Sequence, residues 1–360
     1  MKKHLLLLLC FIGSIVNAQQ VENVILITTD GLRWQELFQG MDAEIANNKK
    51  YNEGDSTYIF KKYWSESSVE RREKLMPFTW SVFVTQGQLY GNRKLGNLVN
   101  TANPHWFSYP GYSEIMTGYP DPAINSNSYE PNPHVTVLEF LNQQPKLKGK
   151  IAAFGAWEAF GRILNEKRSG IPVVSAFDQL GGDNPSASQK LINDMLADSY
   201  KPWHGAECFD IFTHYGALEE LKINKPKVLY IAYGETDEWA HAGKYRSYLD
   251  AAHQVDAWIK QIWEYVQNDP QYKNKTALVF TTDHGRGDLI KGQWTSHDSS
   301  IKGASEIWFA AMGPNIKPKG EIKTEGQIYQ KQFAQTIAKL LGYTYKAEHP
   351  IANEITEVLK

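Results

Sequence analysis

Three apolar runs in this chain each lead into a carboxylate. Val24 to Thr28 leads to Thr29-Asp30-Gly31, Val228 to Ala232 leads to Gly234-Glu235-Thr236-Asp237, and Ala277 to Thr281 leads to Thr282-Asp283-His284-Gly285. Each run is apolar throughout rather than alternating, as a strand covered on both faces requires. Ile151 to Phe154 and Ile307 to Ala311 have the same character. Helical patterns lie between them. Tyr248, Ala252, Val255, Ile259, Ile262 and Val266 recur at helical spacing, with Asp256, Lys260 and Glu264 on the other side, and Tyr329, Phe333, Ile337 and Leu341 run up to Gly342. Strands alternating with helices predict an α/β fold, a three-layer sandwich around a central, mostly parallel sheet. Ligands bind such sheets at the carboxyl ends of the strands, so Asp30, Asp237 and Asp283 are expected to converge there.

The chain has 360 residues, 42% of them hydrophobic and 22% charged. That composition excludes disordered, collagen-like and disulfide-stapled classes. At about 150 residues per domain the length allows two domains, but the strand rhythm favours a single catalytic domain over residues 19–360. Residues 40–73, polar and charge-rich, and 157–225, mixing Gly, Pro, Ser and aromatics, break that rhythm and read as insertions bordering the site. A formal net charge of −2 offers no basic stripe to displace counterions from a nucleic acid duplex.

Lys2 and Lys3 precede an apolar run from Leu5 to Val16, which leads into Asn17-Ala18. This is a secretory signal pattern over residues 1–18, and it predicts an exported protein, periplasmic or secreted. The run falls short of the roughly 20 residues of a membrane span, and no later stretch comes close, so no transmembrane segment is expected. Cys10 raises a lipid anchor as an alternative, although it sits inside the apolar run rather than after a small-residue box. Removing the segment leaves Cys208 alone. Without a second thiol, core packing or bound metal must stabilise the fold.

Convergent carboxylates repel one another, so either their pKa values rise or cations sit among them. Histidines accompany them: His241 four residues after Asp237, His284 directly after Asp283, and His297 thirteen residues later. Singly, an Asp after a strand is an ordinary cap or turn residue, and a lone His an ordinary hydrogen-bonding group. Together, three Asp and three His supply oxygen and nitrogen ligands of the kind that bind two zinc ions or a comparable divalent pair.

These elements are joined by Phe107-Ser108-Tyr109-Pro110-Gly111-Tyr112, which leads to Thr117-Gly118-Tyr119-Pro120. From about Val21 to Gly342 the chain resembles the alkaline phosphatase superfamily of two-metal phosphoesterases, in particular its nucleotide pyrophosphatase/phosphodiesterase-like branch. The resemblance implies Ser108 as nucleophile. It implies one metal held by Asp30, Ser108, Asp283 and His284 and a second held by Asp237, His241 and His297. It also implies hydrolysis of a small phosphate ester through a covalent phosphoseryl intermediate. A serine hydroxyl is a poor nucleophile at neutral pH and no Ser-His-Asp arrangement is evident near Ser108, so metal coordination is the way to activate it. Ser113 and Thr117 are the rival hydroxyls, with cap or packing roles as the plain alternative.

Two divalent ions set against Asp30, Asp237, Asp283 and a Ser108 alkoxide leave the centre roughly neutral. A dianionic monoester then needs further cations and a monoanionic diester fewer. Arg286 and Arg162 are the candidates for touching substrate, each with a surface or structural role as the alternative. The basic pair that monoesterases of the superfamily carry has no counterpart in Gly155-Ala156-Trp157-Glu158-Ala159-Phe160. The Asn that the phosphodiesterase branch carries three residues after the nucleophile is replaced by Gly111. The donor to a phosphate oxygen is then the amide following Ser108, or Asn125, or Asn127. Trp106, Phe107, Tyr109, Tyr112 and Trp157 offer a nucleotide base or aryl group a stacking wall, or are simply core. A sulfatase has an Arg where Tyr112 stands and a paired acid where Thr29 precedes Asp30, which speaks against that reaction. Sulfatase-like and phosphonate ester hydrolysis are the alternatives within the superfamily, and a catalytically inactive ligand-binding protein is the alternative outside enzymes.

Overall fold

The apolar runs form the middle of one sheet. The computed structural model describes residues 21–359, so the secretory pattern at 1–18 lies outside the described residues. The strands are β1 Asn23–Thr29, β2 Gly87–Tyr90, β3 Asn97–Asn100, β4 Ile151–Gly155, β5 Val173–Ser175, β6 Val228–Tyr233, β7 Thr276–Thr282, β8 Glu306–Ile307, β9 Phe309–Met312, β10 Gly320–Glu321 and β11 Gly326–Tyr329. Eight of them make a sheet in the order β10-β2-β9-β7-β1-β6-β4-β5, and β11-β3-β8 make a small second sheet. The pairings from β7 through β5 are parallel, while β9 runs antiparallel to both its neighbours.

Covering on both faces explains the unbroken hydrophobicity. Val24 and Leu26 of β1 enter one core and Ile25 and Ile27 the other, and β6 and β7 divide their residues in the same way. The helix Tyr245–Asn268 lays Tyr248, Ala252, Val255, Ile259, Ile262 and Val266 on one face of the sheet. Helices Ser108–Thr117 and Phe333–Leu340 cover the other. The result is the expected three-layer α/β sandwich with a mostly parallel sheet.

Three local readings differ from expectation. The run Ile307 to Ala311 is divided at Trp308, with β8 pairing β3 and β9 pairing β7 and β2. The buried Trp308 indole N–H donates to the Leu32 carbonyl at 2.9 Å at this change of sheet. Tyr329 ends β11 rather than opening the last helix, which starts at Phe333 and closes before Gly342 at φ 80°. Residues 157–225 hold an edge strand of the main sheet, β5, and the helices Ala187–Asp198 and Asp210–Ile223, the second packed on β6 and β4. A strand of three residues is too short to leave a pattern in the sequence. Residues 40–73 form the short helices Ala43–Asn47, Ser56–Tyr63 and Ser68–Leu75, with Ile45, Ile59 and Tyr63 buried. Among the described residues no helix is long and apolar enough to cross a membrane.

Candidate metal centre

Register sets the geometry. Thr29 of β1 lies opposite Thr282 of β7 and Tyr233 of β6, so Asp30 and Asp283 leave the sheet at the same level. Just past β6 begins the helix Glu235–His241, which places Asp237 and His241 one turn apart on the same side. Ser108 opens the helix Ser108–Thr117. His284 Nε2 lies 3.1 Å from Asp30 Oδ1, 3.5 Å from Asp283 Oδ2, 3.8 Å from Asp237 Oδ1 and 3.5 Å from Ser108 Oγ. His241 Nε2 stands 3.0 Å from Asp237 Oδ2, and His297 Nε2 stands 3.6 Å from Asp237 Oδ1. All seven residues expected from the sequence are brought to one place. Two sets of three donors are close enough to hold an ion, Asp30 with Asp283 and His284, and Asp237 with His284 and His297. His284 therefore borders both positions, where the resemblance assigned it to one, and His241 flanks the second.

The electrostatics of the cluster suit divalent cations. Asp30 Oδ1, Asp283 Oδ2 and His297 Nδ1 are buried with no hydrogen-bond partner among the described residues. Burial and then Asp237 raise the pKa of Asp30, and burial and then Asp30 raise that of Asp283 well above the carboxylate range. Burial pulls His284 down, but Asp283 and Asp30 outweigh it and hold its pKa at about 9. With protein groups alone, a proton on His284 is the compensating charge. Cations among the carboxylates remove that demand, and mixed carboxylate and imidazole donors match the ligand preference of zinc.

Several contacts that orient the ligands were not read from the sequence. The His284 Nδ1–H donates to the Gly285 carbonyl at 2.9 Å, which leaves Nε2 as the ligand atom of the ring. The Gly31 amide donates to Asp283 Oδ1 at 3.0 Å, and the Gln330 side-chain amide holds the Asp283 carbonyl at 2.6 Å. The Tyr112 hydroxyl donates to Asp30 Oδ2 at 3.1 Å. For Tyr112 a signal existed, because it follows Ser108 by one helical turn and so faces the same way.

The expected substrate contacts need correction. Arg286 is wholly buried, paired with Asp237, and donates to the Trp294 and Thr295 carbonyls at 2.9 and 2.8 Å. It is not free for substrate. Burial would raise Asp237, but Arg286 and the neighbouring histidines hold its pKa well below the ordinary range. Arg162 donates to the Tyr129 carbonyl at 2.6 Å and to Glu158 at 3.0 Å, so it pins a loop. On that loop Asn127 Oδ1 accepts from the Tyr109 amide at 3.0 Å. The amide after Ser108 is thus engaged by Asn127 and is not free to donate to a phosphate oxygen. Asn125 is exposed on the same loop. At Gly111 a Cβ would lie 2.5 Å from the Asp283 carbonyl oxygen, so the helix rests too closely on the end of β7 for any side chain there. Ser113 accepts from Asn132 at 3.0 Å and Thr117 donates to the Ser113 carbonyl at 2.7 Å, which makes both structural. Tyr109 and Tyr112 are core, while Trp106, Phe107 and Trp157 are half-buried.

The fold and this cluster have relatives. A family model described as Sulfatase matches residues 104–343, 240 of the 360. No curated protein matches the chain in sequence. Two structures of the alkaline phosphatase PafA superpose with TM-scores of 0.62 and 0.61 at 11% identity, over 95% of this chain and 99% of that one. A 2-O GAG sulfatase gives a TM-score of 0.56 at 11% identity, over 94% of this chain and 74% of that one. A phosphonate monoester hydrolase from Silicibacter pomeroyi gives 0.52 at 13% identity, over 94% and 76%. Identities this low speak for the fold alone. Members of the superfamily these proteins represent are hydrolases that use divalent metals. The family model covers Ser108, Asp237, Asp283 and their histidines within one span, and with the shared fold it establishes that this chain belongs to the sulfatase family of the alkaline phosphatase superfamily.

Proposed function

We propose that the chain is an exported hydrolase of phosphate esters, favouring diesters, that attacks phosphorus through Ser108 Oγ. The position of Ser108 carries this reading. Of the three aliphatic hydroxyls in its helix, those of Ser108, Ser113 and Thr117, it is the one that faces His284. Asp30, Ser108, Asp283 and His284 would hold one divalent ion and Asp237, His241 and His297 the other, zinc by the chemistry of the donors. Such ions supply Lewis acidity that lowers the pKa of a hydroxyl or water and offsets phosphate charge. The helix fixes Oγ at its first residue, and Asn127 Nδ2 is the side-chain donor nearest in role to a phosphate-oxygen contact. Attack forms a Ser108 O–P bond as the bond to the alcohol breaks; water then cleaves the phosphoseryl ester. Arg286 and Arg162 are both engaged elsewhere, so neither meets the second charge of a monoester. Trp106, Phe107 and Trp157 remain for an aryl or nucleotide-like group. Export rests on the pattern at residues 1–18.

The test compares metal-reconstituted protein on 4-nitrophenyl phosphate, bis(4-nitrophenyl) phosphate and 4-nitrophenyl sulfate, with Ser108→Ala as control. The diester should be hydrolysed fastest and the variant should be inactive. No turnover of either phosphate ester by protein carrying its full metal content would overturn the reading in favour of a binding protein. Sulfate ester hydrolysis is the second reading, favoured by the description of the family model. Tyr112 opposes it, since its hydroxyl is engaged by Asp30.

A further inference from the structure

The helix that opens with Ser108 buries a carboxylate that the reaction above does not use. Glu114 is wholly buried, and its oxygens are turned to the segment that leads into the helix. Oε1 accepts from the Ala102 amide at 2.9 Å. Oε2 accepts from the Ala102 amide at 3.0 Å, the Asn103 amide at 2.8 Å and the Asn103 Nδ2 group at 2.8 Å. A carboxylate sealed in the interior requires such donors, and Asn103, itself buried, supplies two of them. With its side-chain nitrogen committed to Glu114, Asn103 turns Oδ1 the other way, where it accepts from the His105 amide at 3.0 Å and the Trp106 amide at 3.1 Å. The result is an Asx turn whose side chain is fixed by a second side chain.

This turn closes on a strained residue. Trp106 has φ 56°, a left-handed backbone that a bulky side chain rarely adopts and that persists only where its surroundings over-determine it. Phe107 then runs extended at φ −147° and ψ 178° with no side-chain cap, and Ser108 is the first helical residue. The torsions of Trp106 and Phe107 thus set the direction in which the Ser108 Oγ leaves the chain, 3.5 Å from His284 Nε2. Without Asn103 Oδ1, Trp106 would relax to a right-handed or extended backbone and carry the start of the helix with it. On the far side Asn127 Oδ1 takes the Tyr109 amide, so asparagine oxygens hold the chain both before and after Ser108.

We propose that Asn103, oriented by Glu114, is a positioning residue that sets the Ser108 hydroxyl toward His284 and the metal centre. The inference rests on Ser108 as the nucleophile, and not on which ester it attacks.

The experiment has a kinetic arm and a spectroscopic arm, both on metal-loaded protein. In the first, Asn103→Ala should lower kcat by about 10- to 100-fold, while KM stays within about twofold and metal content is unchanged. Asn103→Ser, whose hydroxyl oxygen accepts from the same amides more weakly, should recover part of the loss. In a Trp106→Asn background, where the left-handed backbone is tolerated, the factor lost on Asn103→Ala should shrink to below about threefold; the effect of removing the indole cancels in that ratio. An equal factor in both backgrounds, or a loss confined to KM or to metal content, would overturn the assignment. The second arm needs no turnover. Ser108→Cys protein loaded with cobalt(II) should show a sulfur-to-cobalt charge-transfer band where residue 108 reaches the ion, and adding Asn103→Ala should weaken it at unchanged cobalt content. A band that Asn103→Ala leaves intact also overturns the assignment. A band that weakens, in a protein whose parent hydrolyses no ester, sinks the hydrolase reading and leaves the positioning role standing. No band in Ser108→Cys itself removes Ser108 from the centre, and the role of Asn103 with it.

Discussion

The Nε2 atoms of His241 and His297 face each other at 2.9 Å. Only one proton fits between them, and both also face the Asp237 carboxylate. Two lone pairs and a carboxylate aimed at one point are the arrangement of ligands awaiting a cation. His297→Ala should therefore reduce bound metal from about two ions per chain to about one, measured by elemental analysis after dialysis, with loss of hydrolysis. Full metal content in this variant would remove His297 from the ligand set.

Tyr112 acts on the centre through Asp30. Its hydroxyl fixes Oδ2 while Oδ1 faces His284. Removing a group that orients a ligand ordinarily weakens metal binding by about 10- to 100-fold. Tyr112→Phe should fall in that range in a chelator competition, with little change in the fold because the ring stays in the core. Unchanged affinity would show that Asp30 is held by the backbone alone.

Arg286 and Asp237 form a buried pair, and removing one partner of such a pair destabilises by about 3–5 kcal/mol. Arg286→Met should show a loss of that order in urea denaturation with chelator present. Added zinc should recover part of it, since a cation at Asp237 replaces the missing charge. A variant as stable as the parent in chelator would mean that the pair contributes nothing net.

His214 supplies a pH dependence away from the centre. It is fully buried, its Nε2–H donates to Gln261 at 2.8 Å, its Nδ1 accepts from the Tyr233 hydroxyl at 3.0 Å, and it stacks on Trp258. Burial lowers its pKa from 6.5 to about 4. The folded chain thus resists a proton that the unfolded chain accepts, so stability is retained above pH 6.5 and falls as pH drops from there toward 4. The loss from this residue reaches about 3 kcal/mol. His214→Gln should flatten the acid limb of denaturation midpoints by about that amount; an identical limb would assign the acid sensitivity elsewhere.

The legible part of this protein is the part where one residue's neighbours in sequence are also its determinants. β1, β6 and β7 could be read because burial on both faces leaves no polar position in the run, and Asp30, Asp237 and Asp283 could be placed because each follows such a run. The short strands β5 and β10 left no pattern, and the division at Trp308 depends on which sheet each half finds. Partners were harder still. Asp237 lies 49 positions from Arg286, and Tyr112 lies 82 from Asp30; nothing local to Arg286 shows that its guanidinium is taken.

The place of β1 in the sheet has a bearing on when the centre can exist. Its two neighbours are β6 and β7, which begin at Val228 and Thr276. In a chain made from its amino end, the segment bearing Asp30 waits for more than half of the polypeptide before it gains its first lateral partner, and for Thr282 before its second edge is closed. Such long-range pairing is slow. Asp283 and His284 follow β7 directly, so a chain stalled or cut before β7 carries the first ligand of the centre without a site to put it in.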